Sequence, residues 1–385
     1  VDLSGLTATS RMEFALDVLL TLPGERQTIL SVQDSQGESA ATLLAADGIL
    51  SLHVGDTQLE LRPLPLASHR WYRACCIIDL AAGTVQTSLS TKPSASPGRD
   101  LFESGQLDAA AEAELGAIQL GTFVLGGRID NGRPTGDFDG RIGQPSMQID
   151  DQRLDWDLHQ DMGGRSIIDV GPLQRHGELH QLPARGVTGS GWDGSHQRWT
   201  DAPEQWNAVH FHKDDLYDAG WHETTTVTLP DDLPSGIYAF RLQAGDQSDR
   251  VPFFVRPAVL APTKDVALLM SSATYIAYAN HRMLFDGADF IGTRTRLRPE
   301  HGYIRSHPEL GRSMYEKHPD GSGVMFSSRL RPVLNIRPGA DGWNFTPDTD
   351  INAFLEQTEI GHDVIADEDV HAEGLAALAP YRVIV

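Results

Sequence analysis

Cysteine is nearly absent from this chain of 385 residues: the two present are the neighbours Cys75 and Cys76, whose Cα atoms, about 3.8 Å apart across a trans peptide, sit too close for an unstrained bridge. Disulfides therefore hold nothing together, which fits a reducing compartment, and the chain reads as cytoplasmic. Positive charge is scarce as well. Against 53 acidic side chains stand 31 lysines and arginines, a formal charge of -22. Such a chain repels phosphate backbones and anionic bilayers, so nucleic acid and membrane are excluded as partners. Long apolar runs are missing too: stretches such as Val266 to Met270 fall far short of the ~20 residues that cross a bilayer. No basic stretch leading into an apolar core and a small-residue cleavage site opens the sequence, so no export signal is expected.

What remains is a globular composition, 40% hydrophobic and 22% charged, on a chain too long for one ordinary core; two or three domains are expected. From residue 12 to about 150, short alternating apolar runs are broken by turn residues: Met12 to Leu20, Thr28 to Val32, Ala41 to Leu44, Ile49 to Val54, Trp71 to Asp79, Thr84 to Ser88 and Gly121 to Gly126. Strands at that spacing predict an antiparallel sandwich. The stretch from Lys92 to Leu115, rich in Ser, Ala, Pro and Glu, reads as an exposed insertion with a short helix. The pattern resembles a concanavalin-like or laminin-G-like jelly roll, with Asp155 to Leu158, Arg165 to Asp169 and His176 to Trp192 as extensions, giving a first domain over residues 1–204. Such domains often bind sugars, but no cluster of exposed aromatics with calcium ligands is visible, and a structural or interface role is the favoured reading.

A second β unit, 205–260, is expected from Ala208 to His212, Thr224 to Leu229, Ile237 to Ala244 and Arg250 to Val255, with Pro234-Ser235-Gly236 as the turn into a late strand of a small immunoglobulin-like sandwich. Pro257 to Thr263 reads as a linker. Beyond it the period changes. Asp265 to Met270, His362 to Ala366 and Arg382 to Val385 are continuous apolar strands, alternating with helices over Asp350 to Ile360 and Asp369 to Leu378, the pattern of a parallel sheet covered on both faces. The fold class is thus multidomain β plus α/β. Residues 261–385 are expected to be the incomplete front part of a doubly wound parallel α/β domain.

Ligands of open α/β sheets bind outside the carboxyl ends of the strands, which points to the long segment from Ser271 to about Pro347. It holds Thr274-Tyr275-Ile276-Ala277-Tyr278-Ala279-Asn280, then Tyr315-Glu316-Lys317-His318-Pro319-Asp320-Gly321-Ser322-Gly323, then Arg331 to Pro338. By residue chemistry alone, a tyrosine in such a loop is a half-buried packing residue with its hydroxyl hydrogen-bonded. These three stretches, with the domain order, resemble the N,N-dimethylformamidase large (beta) subunit family. The resemblance implies an immunoglobulin-like unit and a glutamine-amidotransferase-like catalytic domain behind the sandwich. It implies an amidohydrolase that converts small N-substituted formamides to formate and amine at a mononuclear Fe(III) site, with a small subunit and homo-oligomeric assembly as partners. Carried over by motif, the iron-binding tyrosines become Tyr275 and Tyr315, with Tyr278 the rival to Tyr275. The third ligand, a glutamate, and the general base are expected beyond Val385, so that the chain as given is expected to be inactive.

Other candidates are weaker. His210-Phe211-His212 with Asp214-Asp215 has alternating histidines and nearby carboxylates that could bind a divalent metal, but capping and turn roles are the favoured reading. Asp320-Gly321-Ser322-Gly323 lacks the lysine of a phosphate loop and reads as a tight turn. No Gly-x-Ser-x-Gly elbow or strand-to-helix cysteine nucleophile is present. The alternative function, of a different class, is a carbohydrate-binding or interaction protein that uses the sandwich.

Overall fold

The computed structural model describes all residues except 62–65, 93–105, 259–260, 283–298 and 340–343. Two compact units divide the chain, Val1–Asp215 and Leu216–Val385. Among the described residues, no helix is long and apolar enough to cross a membrane.

The first unit is two antiparallel sheets. One is six-stranded, in the order Thr7–Ala8, Ile118–Leu125, Gln27–Asp34, Ser39–Ala46, Ile49–Val54, Thr57–Leu61. The other is ten-stranded and is built around Arg11–Leu20, which pairs with Trp71–Asp79 on one side and Gly140–Ile149 on the other. The alternation along Trp71–Asp79 shows why: Tyr72, Ala74, Cys76 and Ile78 are buried, while Trp71, Arg73, Cys75 and Ile77 are only half-buried, because successive side chains leave opposite faces of a strand. The same geometry points Cys75 and Cys76 apart, and burial pushes the Cys76 thiol up to about 12. Phe14, Phe123, Phe138, Leu30, Leu43 and Leu52 fill the space between the sheets. At Gly126 (φ +72°) a Cβ would stand 2.5 Å from the Phe211 ring, so both the left-handed backbone and the close approach call for glycine.

Three elements depart from the sequence reading. Gln106–Glu112, inside the expected helical insertion, is an edge strand on Thr84–Thr91; its alanines alternate between half-buried and exposed, and partial packing on the core overrides their helical preference. Residues 93–105 of that insertion lie outside the described residues. Ala208–Phe211, expected to open the immunoglobulin-like unit, instead pairs with Gly140–Ile149 and Ala184–Val187 of the sandwich. Thr224–Leu229 forms no strand. The extensions after residue 150 enter the large sheet as Gln152–Asp157, Ser166–Asp169 and Gly177–Glu178.

In the second unit, Gly236–Ala244 and Gln247–Val255 make a two-stranded hairpin in unbroken register. A parallel sheet has the order His362–Ala366, Val266–Met270, Val383–Ile384. Helix α1 spans Ser272–Ala277, α2 Pro299–Ser306, α3 Phe345–Gln357 and α4 Asp367–Glu373. Helix α3 begins several residues before the expected Asp350, because Pro347 falls in its first turn, where the missing N–H is not needed. A small core of Leu268, Met270, Tyr275, Phe345, Leu355, Val364 and Ala366 is flanked by Ile237 and Phe254 from the hairpin. The Ser235 hydroxyl joins hairpin and sheet, donating to the Val255 carbonyl at 2.9 Å and accepting the Val364 N–H at 2.7 Å.

Candidate functional site

The strand Val266–Met270 is central in its sheet, and the chain leaves it first toward His362–Ala366 on one side and later toward Val383–Ile384 on the other. That reversal is a topological switch point, where crevices form at the carboxyl ends of parallel strands. Helix α1 starts there. Its first turn is held by α4: the Ala273 N–H donates to Asp367 at 3.0 Å, and the Ser272 hydroxyl bonds Glu368.

Three separate stretches converge on α1 and the turn after it. The Met314 N–H and the Ser313 hydroxyl donate to the Ala277 carbonyl at 2.9 and 3.1 Å, and the Ser327 hydroxyl to the Ile276 carbonyl at 2.7 Å. Asn280, fully buried at φ +57°, ties the turn to the 331–338 stretch. Its Nδ2 donates to the carbonyls of Leu310 and Pro332, its Oδ1 accepts from Leu334 N–H, and its own N–H donates to Asn335 Oδ1 at 2.9 Å. The Arg331 guanidinium, also buried, donates to the carbonyls of Leu310, Ala279 and Ser328, and burial lowers its pKa to about 10. The buried Glu316 accepts N–H bonds from Arg282 at 3.0 Å and Ser313 at 2.7 Å, with the Arg282 guanidinium at 3.6 Å. The described parts of the long segment are therefore tied together by buried polar bonds of these side chains.

The tyrosines occupy different surroundings. Tyr275 is 3% exposed, edge-on to Phe345. Its hydroxyl donates to Asp348 in the first turn of α3 and accepts the Ser271 N–H at 3.2 Å. Burial first, and the Asp348 carboxylate second, push this phenol well above the ordinary tyrosine range. Tyr315 is 57% exposed and stacks on Tyr278, with ring centroids 3.9 Å apart and planes at 15°. The hydroxyl bond between these two raises Tyr278 to about 12, with burial contributing less. The contacts thus join Tyr315 to Tyr278, while Tyr275 is engaged with Asp348. Tyr275 also borders a cleft of about 750 Å³ walled by Phe253, Phe254, Leu334 and Ile336. Sequence reasoning singled out the tyrosines but missed Asp348, Glu316, Asn280 and Arg331, whose partners lie far along the chain.

The two weaker candidate stretches make the following local contacts. His210 and His212 share a face of their strand, rings 4.1 Å apart, and Asp215 accepts the His212 N–H at 2.8 Å and contacts its Nδ1 at 3.2 Å. Asp320 accepts the Ser322 N–H at 2.9 Å, Gly321 has φ +86°, and the His318 N–H donates to the Ser322 carbonyl.

A sequence model described as N,N-dimethylformamidase beta subunit-like, C-terminal, matches residues 184–385. The N,N-dimethylformamidase beta subunit of Paracoccus aminophilus is 27% identical over 420 residues, covering 95% of this chain and 54% of that protein. The beta subunit from an Alcaligenes species is 26% identical, covering 99% of this chain and 56% of that protein. The chain spans about half the length of the curated relatives it matches. Among solved structures, a SAP-like pentraxin from Limulus polyphemus is 15% identical and covers 38% of this chain and 67% of that one at a TM-score of 0.28, too slight a likeness to carry an argument.

Proposed function

The chain belongs to the N,N-dimethylformamidase beta subunit-like family through residues 184–385, and from that membership we propose that it serves an amidohydrolase that splits the C–N bond of small N-substituted formamides into formate and amine. The observation that carries the reading is the convergence of the segments around Ser313, Ser327 and Asn335 on α1 and the turn after it, at the switch point of the parallel sheet, where a site in such a fold is expected.

The family resemblance implies a mononuclear ferric ion, and the donors here are of the right kind. Phenol oxygens and a carboxylate are hard donors suited to a trivalent cation. Tyr315 presents an exposed phenol, and two assignments of the second phenolate follow from the geometry. Tyr275 stands next to the carboxylate of Asp348 and would offer an oxygen pair; Tyr278 already lies against Tyr315. When bound, such an ion supplies Lewis acidity toward an amide carbonyl. The chain's own residues do the rest of what is proposed here. Asp348 accepts the hydrogen bond of the Tyr275 hydroxyl, Glu316 and Arg282 fix the turn that carries Tyr315, and Asn280 with Arg331 fixes the turn that carries Tyr278. A small subunit, homo-oligomeric assembly and a cytoplasmic setting accompany the reading; the beta-subunit names of the relatives and the free thiols Cys75 and Cys76 support the first and last of these.

The test is metal analysis of the full-length gene product with its tyrosine variants. Iron near one per chain, with a phenolate-to-iron visible band and formamide hydrolysis, is expected. Tyr315→Phe should remove the band. Loss in Tyr275→Phe but not Tyr278→Phe identifies the second phenolate as Tyr275, and the converse as Tyr278. Colourless, iron-free protein that binds glycans would overturn the proposal in favour of a carbohydrate-binding role for the sandwich.

A further inference from the structure

Between the two sheets of the first unit lies a cavity of about 180 Å³. Phe123 reaches it from the six-stranded sheet; Ile142, Trp156, Ile167 and Val209 reach it from the ten-stranded one. Each of these side chains is under 9% exposed. Phe123 and Trp156 stack at 5.0 Å, and the indole N–H is already committed to the Arg175 carbonyl at 2.8 Å, so this wall offers a π face rather than a donor. Protein interiors are packed to crystal density with few voids larger than a water molecule. Glu178, His180, His212, Lys213 and Asp215 complete part of the lining, so the pocket is mostly apolar with a few polar groups, the usual composition of a small-ligand site. The rim has a second unusual feature. Gln181, which borders the cavity, and Leu182 follow one another in the left-handed region, at φ 61° and 52°. Non-glycine residues in succession there are strained, and such strain concentrates at ligand-binding loops.

We propose that this cavity is a binding site for a small uncharged apolar molecule, of the size of a substituted benzene, admitted past the loop that carries Gln181 and Leu182. The site is separate from the amide-hydrolysis reading and stands or falls without it. A wall that is mostly apolar suits a ring better than a glycan, each of whose hydroxyls needs a partner.

Fluorobenzene is a suitable probe, followed by ¹⁹F NMR and by the thermal transition of the chain, which a ligand bound only to the folded state raises. Saturable binding of one probe per chain is expected, unaffected by lactose. Val209→Phe, which places a ring in the cavity, should weaken it at least tenfold. Ile167→Phe fills the same space from another strand and serves where Val209→Phe does not fold. Absence of saturation up to the solubility limit of fluorobenzene overturns the proposal. Unchanged affinity in a folded, cavity-filled variant, or displacement of the probe by lactose, overturns it too.

Discussion

The two units differ most in what they leave uncovered. Among the described residues of the sandwich, Val170 and Trp199 are the large hydrophobic side chains left exposed. The second unit exposes Trp221, Phe240, Leu242, Val251, Phe354 and Leu375, among others. The sandwich hides its apolar residues between broad sheets, so burial does most of the stabilising. The second unit has short parallel strands and a small core, and its long segment is held by Asn280, Arg331 and Glu316 through bonds to backbone groups. A region fixed by directed polar bonds sets side-chain positions closely but tolerates little change, because each lost partner strands a buried group. This is the kind of scaffold on which a site is built.

The sharpest way to break that contrast is to remove volume from the sandwich. Phe14, fully buried on the central strand, should cost about 3–5 kcal/mol as Phe14→Ala, the usual range for deleting a core ring. Denaturant unfolding followed with probes in each unit should show the loss in the first transition. An equal loss in the second unit's transition would mean that the two do not unfold separately.

Next in size is Asn280→Ala. It leaves the Leu310 and Pro332 carbonyls and the Leu334 N–H without their partner and puts alanine at φ +57°. About 2–4 kcal/mol is expected in the second unit from the buried unpaired groups. Asn280→Gly relieves the backbone strain but not the lost bonds, so it should recover only a fraction. Full recovery would show that conformation, and not bonding, is what Asn280 supplies.

The same contrast explains what was legible in the sequence. Alternation and turn residues depend on near neighbours, and they placed Trp71–Asp79 and His362–Ala366 to the residue. The switch-point segment could also be located, because continuous apolar strands flank it. The buried polar bonds of that segment could not. Asn280 meets Leu334, and Tyr275 meets Asp348, across more than fifty intervening residues, and no local period carries that information. Ala208–Phe211 misled for a related reason: its pattern is that of a strand, but the sheet it joins is decided by pairing with Gly140–Ile149.

A smaller effect, with a pH signature, belongs to the sandwich. Asp150 accepts N–H bonds from Thr9, Ser10 and Arg11 and hydroxyl bonds from Thr9 and Ser10. These donors hold its carboxyl far below the usual range, the Arg11 N–H most of all. A carboxylate depressed in the folded state stabilises fully above its unfolded value near 4, and that contribution fades as pH falls through the folded value. Because the group lies at the surface, the contribution is discounted to about 1–2 kcal/mol. Asp150→Asn should remove it, flattening the acid limb of the stability curve below about pH 5. Asp139, raised by burial, works in the opposite sense, gaining stability as pH falls, so it cannot produce this acid limb, and a limb unchanged in the variant would overturn the role given to Asp150.

The smallest expected change in stability is at the proposed ligand Tyr315. Tyr315→Phe keeps the ring stacked on Tyr278 and removes only a hydroxyl on a side chain that is 57% exposed, so unfolding should shift by no more than about 0.5 kcal/mol. Its electrostatic effect should nonetheless be plain. The bond from Tyr315 is the main reason that the Tyr278 phenol is raised to about 12. Without it, Tyr278 should ionise at lower pH, and tyrosinate absorbance in the metal-free chain should show one phenol moving downward. A stability loss of several kcal/mol would instead make Tyr315 a packing residue. An unmoved titration would show that the two hydroxyls do not share a proton in solution. A neutral stability effect with a shifted phenol would leave Tyr315 free to act as a ligand, which is the distinction between a segment built for its own cohesion and one built to present a group.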